Sequence, residues 1–192
     1  GIRYNYLHSN NVMRASYQKD CILIALPISL KQSRDLLNVV NDLCMNNAKV
    51  FNSKTWILKP HPDLNLESVK EEFFNLFQFL TIENQSIENL IQKSSLIITN
   101  GSSVAIEALV LGKPICIVGA RNGFTQNPIP PSVDNRIWRL CYDEHDLLRW
   151  LKSISLLKDK DYRELMEIGN KMKLEYFEPV NLTSVRRFLR LK

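Results

Sequence analysis

One junction constrains this chain more than any other. Leu96-Ile97-Ile98-Thr99 is a short apolar run, Asn100-Gly101-Ser102-Ser103 is a small turn rich in hydroxyls, and Val104 to Leu111 carries apolar residues at helical spacing before Gly112 and Pro114 end it. A buried strand that passes through a glycine turn into a helix is the building unit of an α/β layer protein. The same pattern recurs along the chain. Strand-like runs fall at 22–26, 55–58, 79–82, 96–99, 115–118 and 138–141, and helical patterns lie between most of them at 31–45, 66–77, 86–93 and 103–111. That alternation predicts a parallel, Rossmann-like sheet with helices on both faces. Helical patterns at 144–157, 161–177 and 182–191 close the domain.

Residues 1–19 are polar and aromatic without a period and read as a lead-in or linker, leaving 20–192 as one nucleotide-binding-type domain. Ser86, three residues before Asn89, is the expected N-cap of the helix over 86–93. The strands are apolar enough to be covered on both faces. After Val118 the alternation breaks into a long loop, 119–134, containing Pro128, Pro130 and Pro131; loops of that length are usually functional.

Composition excludes several classes. With 192 residues, 45% hydrophobic and 23% charged, the chain is an ordinary globular one. It has no run near the roughly 18 apolar residues of a membrane span and no signal-peptide pattern, so a cytoplasmic location is expected. Cys21, Cys44, Cys116 and Cys141 lack metal-ligand spacing and read as buried thiols. The net charge of +5 gathers partly in Arg186-Arg187-Phe188-Leu189-Arg190-Leu191-Lys192. A solvated helix end is the preferred reading of that tail, and peripheral contact with anionic lipid is the sharper one. No basic stripe interleaved with aromatics points to nucleic acid.

In an open parallel sheet, ligands sit beyond the carboxyl ends of the strands where strand order reverses. At one such end, Gly101 lets a ligand approach closely while Ser102, Ser103 and backbone N–H groups suit an oxyanion. Either serine could equally serve as a plain helix cap. At another end, Trp56-Ile57-Leu58-Lys59-Pro60-His61-Pro62 delivers a histidine held between two prolines, with Lys59 beside it. His61 could donate to a phosphate or sugar oxygen, although a lone histidine is more often structural. Glu107, one helical turn past the serines, could bind ribose hydroxyls. Ile82 and Glu83, with Asn84 and Gln85, form a further strand end that could meet a base edge. His8 and His145 have no such setting.

At these residues the chain resembles the C-terminal, donor-binding half of a GT-B-fold glycosyltransferase. Lys59-Pro60-His61-Pro62 and Gly101-Ser102-Ser103 are similar to the HP and SS motifs of bacterial sialyltransferases and polysialyltransferases, with related signatures in Kdo transferases of capsule assembly and teichoic-acid glycerophosphotransferases. The continuation through Glu107 to Pro114 is similar to a segment shared by GT-B enzymes and UDP-N-acetylglucosamine 2-epimerases. The resemblance implies that His61, Ser102 and Ser103 hold the phosphate of a CMP- or UDP-activated sugar, with His61 helping departure of the nucleotide, and that Glu107 binds ribose. It implies no metal and no cofactor besides the donor. It also implies a glycan acceptor and an N-terminal GT-B half, in the same or another chain, that brings the general base. Two other readings are a UDP-sugar epimerase and a non-catalytic α/β interaction module.

Overall fold

The computed structural model describes Leu7, residues 20–177, Asn181 and Arg186. Most of the expected lead-in, the helix over 182–191 and the basic tail beyond Arg186 lie outside the described residues. Of the lead-in, Leu7 is buried against the sheet.

Six parallel strands form one sheet: β1 (Cys21–Ala25), β2 (Thr55–Lys59), β3 (Leu80–Ile82), β4 (Leu96–Thr99), β5 (Ile115–Val118) and β6 (Trp138–Cys141). Their spatial order is β3-β2-β1-β4-β5-β6, so the chain builds outward in one direction from β1 and then crosses back to build in the other. The expected α/β parallel fold is therefore observed. The register pairs Ile22 with Trp56 on one side of β1 and with Leu96 on the other.

Two hydrophobic layers flank the sheet. On one face, Ile22, Ile24, Trp56, Leu58, Ile98 and Cys116 pack under α1 (Leu30–Asn46) and α7 (Glu144–Ser155). On the other, Leu23, Ile57, Ile97, Ile115 and Ile117 pack under α5 (Ile87–Lys93), α6 (Val104–Val110) and α8 (Asp159–Tyr176). Successive strand residues alternate between these layers, which is why the central runs are apolar throughout. The edges depart from that expectation. β3 exposes Thr81 and Ile82, and β6 exposes Arg139, because each edge strand has a neighbour on one side only.

Local signals set the helix ends. Asn89 N–H donates to the Ser86 hydroxyl at 3.3 Å, as the cap pattern predicts, and Gln32 N–H donates to Ser29 at 3.4 Å at the start of α1. The pattern over 66–77 is not one helix but two short ones, α3 (Leu66–Glu72) and α4 (Phe74–Phe77). Phe73 ends α3 as a buried side chain outside helical geometry. A further short helix, α2 (Ala48–Asn52), follows α1 directly and places Phe51 in a stack with Trp56 at 4.4 Å between ring centroids.

α6 and α8 approach closely through two glycines. A Cβ on Gly169 would lie 2.6 Å from the Leu109 carbonyl oxygen, and Gly112 has φ +66° with Met166 backbone 2.7 Å from the place of a Cβ. At this amino-terminal rim of the sheet the polar groups are satisfied inside the chain. Lys113 Nζ donates to the Gln92 and Ser94 carbonyls at 2.6 and 3.0 Å, and Ser95 Oγ donates to the Cys21 carbonyl at 2.8 Å. Burial lowers the pKa of the Lys113 ammonium to about 8. None of the described helices is long and apolar enough to cross a membrane.

Candidate functional site

The opposite rim is open. A cleft of about 640 Å³ lies beyond the carboxyl ends of β1 to β4. It straddles β1 and β4, the pair at which strand order reverses, where a doubly wound sheet leaves a crevice between helices that diverge to opposite faces. Lys59, His61, Gly101, Ser102 and Ser103 all line it, so the two motifs converge there. The β2 and β4 ends flank β1 and are therefore two strand spacings, about 10 Å, apart. A side chain from each can reach one group lying between them.

His61 is half-exposed, with its flanking prolines also in the wall. Its Nδ1 accepts from the Asp63 N–H at 3.2 Å, and Asp63 Oδ2 lies 3.7 Å from the same nitrogen. With Nδ1 accepting, the neutral ring carries its proton on Nε2, and a protonated ring keeps it there. Nε2 is thus a donor in either state.

Gly101 has φ +49°, the left-handed geometry that glycine adopts at least cost. The Ser102 hydroxyl accepts from Val104 N–H at 3.3 Å and caps α6, while its own O–H remains a donor. Ser103 stands at the cap position in helical geometry. The helix beyond is only seven residues long, so the turn itself, more than a long dipole, sets the local chemistry.

The other candidates fall elsewhere. Glu107 is 1% exposed, engaged within the protein, and not among the residues that line the cleft. The apolar neighbours Ala105, Ala108 and Leu109 carry that side of α6 into the core, and the carboxylate goes with them. Ile82 and Glu83 also stay outside the cleft. Glu83 N–H extends the strand pairing to the Leu58 carbonyl at 3.0 Å, and its carboxylate lies 3.6 Å from Lys93 Nζ. Of that expected strand end Asn84 and Gln85 do line the cleft, and Ser86 and Ile87 continue the wall, two residues further along than expected.

Sequence reasoning missed two residues of the cleft and gave Asn100, named as part of the turn, no role of its own. Gln32, in the first turn of α1, and Gln126, in the loop after β5, both line the cleft and meet through Gln32 Nε2 and Gln126 Oε1 at 3.2 Å. Asn100 is buried, donates from Nδ2 to the Gln32 carbonyl at 2.7 Å, and leaves Oδ1 as the buried side-chain atom without a partner among the described residues. No periodic signal marks any of them. Their proximity follows from the β1–β4 neighbour relation, which residue spacing does not encode.

The loop over 119–137 brings Gln126 in. Its far end is anchored by Ile129, Val133 and Ile137 in the core and by Arg136, which bonds Asp134 and Glu164. The hydrogen-bonded Arg136 guanidinium holds the Asp134 carboxyl below its ordinary range. Its tip rests on α1 through Arg121 to Asp42 at 2.6 Å and Lys31 to the Asn122 carbonyl at 3.3 Å. Among the described residues, no Asp, Glu or Arg lines the cleft.

No protein-family model matches the chain, and no curated protein does. Solved structures do. A variant of S. aureus TarM in complex with fondaparinux, alpha-GlcNAc-glycerol and UDP aligns over 93% of this chain with a TM-score of 0.58 at 14% identity, covering 36% of the TarM chain. UDP-GlcNAc 2-epimerase from Neisseria meningitidis bound to UDP-GlcNAc aligns over 98% with a TM-score of 0.55 at 16% identity, covering 49% of that chain. The wall teichoic acid polymerase TagF aligns over 98% with a TM-score of 0.54 at 16% identity, covering 47% of its chain. This chain has the Rossmann-like fold of GT-B enzymes. It spans about half the length of these relatives or less, and at such identity the likeness establishes the fold alone.

Proposed function

We propose that the cleft binds the nucleotide of an activated sugar, CMP- or UDP-linked, and that the chain is the donor-binding half of a glycosyltransferase of surface polysaccharide synthesis. One observation carries this reading: His61 and the Gly101-Ser102-Ser103 turn, far apart in sequence, line a single crevice at the strand-order reversal. The lining offers Lys59, the Nε2 donor of His61 and the serine hydroxyls, with no acid to repel a phosphate. The solved structures named above include two with UDP or UDP-GlcNAc bound and one polymerase of wall teichoic acid, which supports the same class of ligand.

In the complete enzyme an acceptor hydroxyl attacks the donor carbon as its bond to the phosphate oxygen breaks. His61 and the serine turn stabilise the charge that develops on the departing nucleotide, each such donor lowering the barrier by about 3 kcal/mol. The base that takes the acceptor proton comes from the N-terminal half, in this or another chain, since no carboxylate lines the cleft among the described residues. Glu107, buried as it stands, reaches ribose only if α6 shifts on binding.

The test is calorimetric titration of the chain with CMP, CDP and UDP. At least one binds, and His61→Ala weakens that nucleotide about tenfold. Silence from all three, or an affinity indifferent to the substitution, defeats the assignment. The epimerase reading stands second because the Neisseria enzyme aligns over nearly the whole chain. It calls for further catalytic acids, and among the described residues no carboxylate lines the cleft.

A further inference from the structure

The cleft has two chemically different sides. Its basic side chains, Lys59 and His61, stand at the end of β2. Across β1, at the end of β4, the wall is made of amides: Gln32 from α1 and Gln126 from the loop after β5 close over Gly101. The glycine is what permits this closure. A Cβ on Gly101 would lie 2.9 Å from Gln126 Oε1 and 3.3 Å from Gln32 Nε2. Two basic side chains of the described residues close to this side are engaged elsewhere, Arg121 with Asp42 and Lys31 with the Asn122 carbonyl, and neither lines the cleft.

We propose that Gln32, Gly101 and Gln126 form the subsite for the group that the donor carries beyond its phosphate, and that this subsite selects a neutral, hydroxyl-rich group over a carboxylate-bearing sugar acid. The inference rests on the nucleotide reading above and deepens it. An amide both donates and accepts, which matches alcohols that do the same. With Gln126 Oε1 accepting from Gln32, the Gln126 NH₂ is the end that can donate to a ligand oxygen. A carboxylate seated there would give up water and meet no cation among the described residues that line the cleft on this side, an unfavourable exchange. A site built to bond hydroxyls discriminates because its own polar groups go unpaired when the wrong ligand binds. The phosphate then lies between His61 and the Ser102 and Ser103 hydroxyls, and the transferred group lies beyond it, against Gln32, Gly101 and Gln126. This differs from what the likeness to sialyl and Kdo transferases implies, because those enzymes move sugar acids.

The experiment measures, for the 192-residue chain, the affinity of UDP-glucose, CDP-glycerol and CMP-N-acetylneuraminate, each relative to its own free nucleotide. A neutral donor gains over its nucleotide, and the sugar acid gains nothing or loses. Gln126→Ala, at an exposed position, weakens the best neutral donor about fivefold while leaving the matching nucleotide within about twofold. Saturation-transfer NMR reads the same contact as lost intensity on the protons of the transferred group. Circular dichroism confirms that the variant is folded. If nucleotides bind but the sugar acid gains most, or if Gln126→Ala weakens nucleotide and donor alike, the subsite is overturned while the nucleotide reading survives. If no nucleotide binds, both fall.

Discussion

The two rims of the sheet are built from the same strands and treat polar groups in opposite ways. At the amino-terminal rim, Lys113, Ser94 and Ser95 spend their donors on main-chain carbonyls of the chain itself. At the carboxyl-terminal rim, His61, Ser102, Gln85 and Gln126 face an open crevice, and Asn100 Oδ1 is buried with no partner among the described residues. Polar groups that are satisfied internally hold the fold together, whereas those left facing a crevice are available to a ligand.

That contrast can be broken by mutation. The largest effect belongs behind the amino rim. Gly169→Ala forces a methyl to within 2.6 Å of the Leu109 carbonyl and should cost about 3 kcal/mol in urea denaturation, since backbone there cannot step aside. Next comes Lys113. Its folded pKa of about 8 lies below the ordinary 10.5, so between those values the unfolded chain binds a proton that the folded chain has released. Stability should therefore rise with pH across that window, by on the order of 2 kcal/mol, and the rise should vanish in Lys113→Met. A flat wild-type profile would remove Lys113 from the picture. Smaller again, Ser95→Ala should lose about 1 kcal/mol by stripping one bond from the Cys21 carbonyl. Smallest of all, His61→Ala should alter stability by no more than about 0.5 kcal/mol while it weakens nucleotide binding about tenfold. Were His61→Ala to destabilise as much as Ser95→Ala, the two rims would not differ in kind.

Much of this was legible from residues alone, for identifiable reasons. β4 and β5 coincide with the expected runs because Ile and Leu covered on both faces leave no other reading. The Ser86 cap was legible because its hydroxyl acts on a donor three residues away. Convergence of His61 with Ser102 could be anticipated from the rule that parallel strands end at one rim. Glu107 could not be placed, since helical spacing gives its distance from Ser103 but not which way α6 rolls against the sheet. The break at Phe73 was equally hidden, because a buried phenylalanine fits a continuous helix as well as a bend. Gln32 and Gln126 lie 94 positions apart and meet only because β1 and β4 are neighbours.

The 119–137 loop has one further consequence. Its far end is sunk among aliphatic side chains, whereas residues near its tip touch α1 through a few polar contacts in solvent. Substitutions near position 126 can therefore accumulate without disturbing strand register, and each would reshape the mouth of the crevice at little thermodynamic expense. That segment is thus a place where the rim of the crevice can change shape while the sheet beneath stays the same.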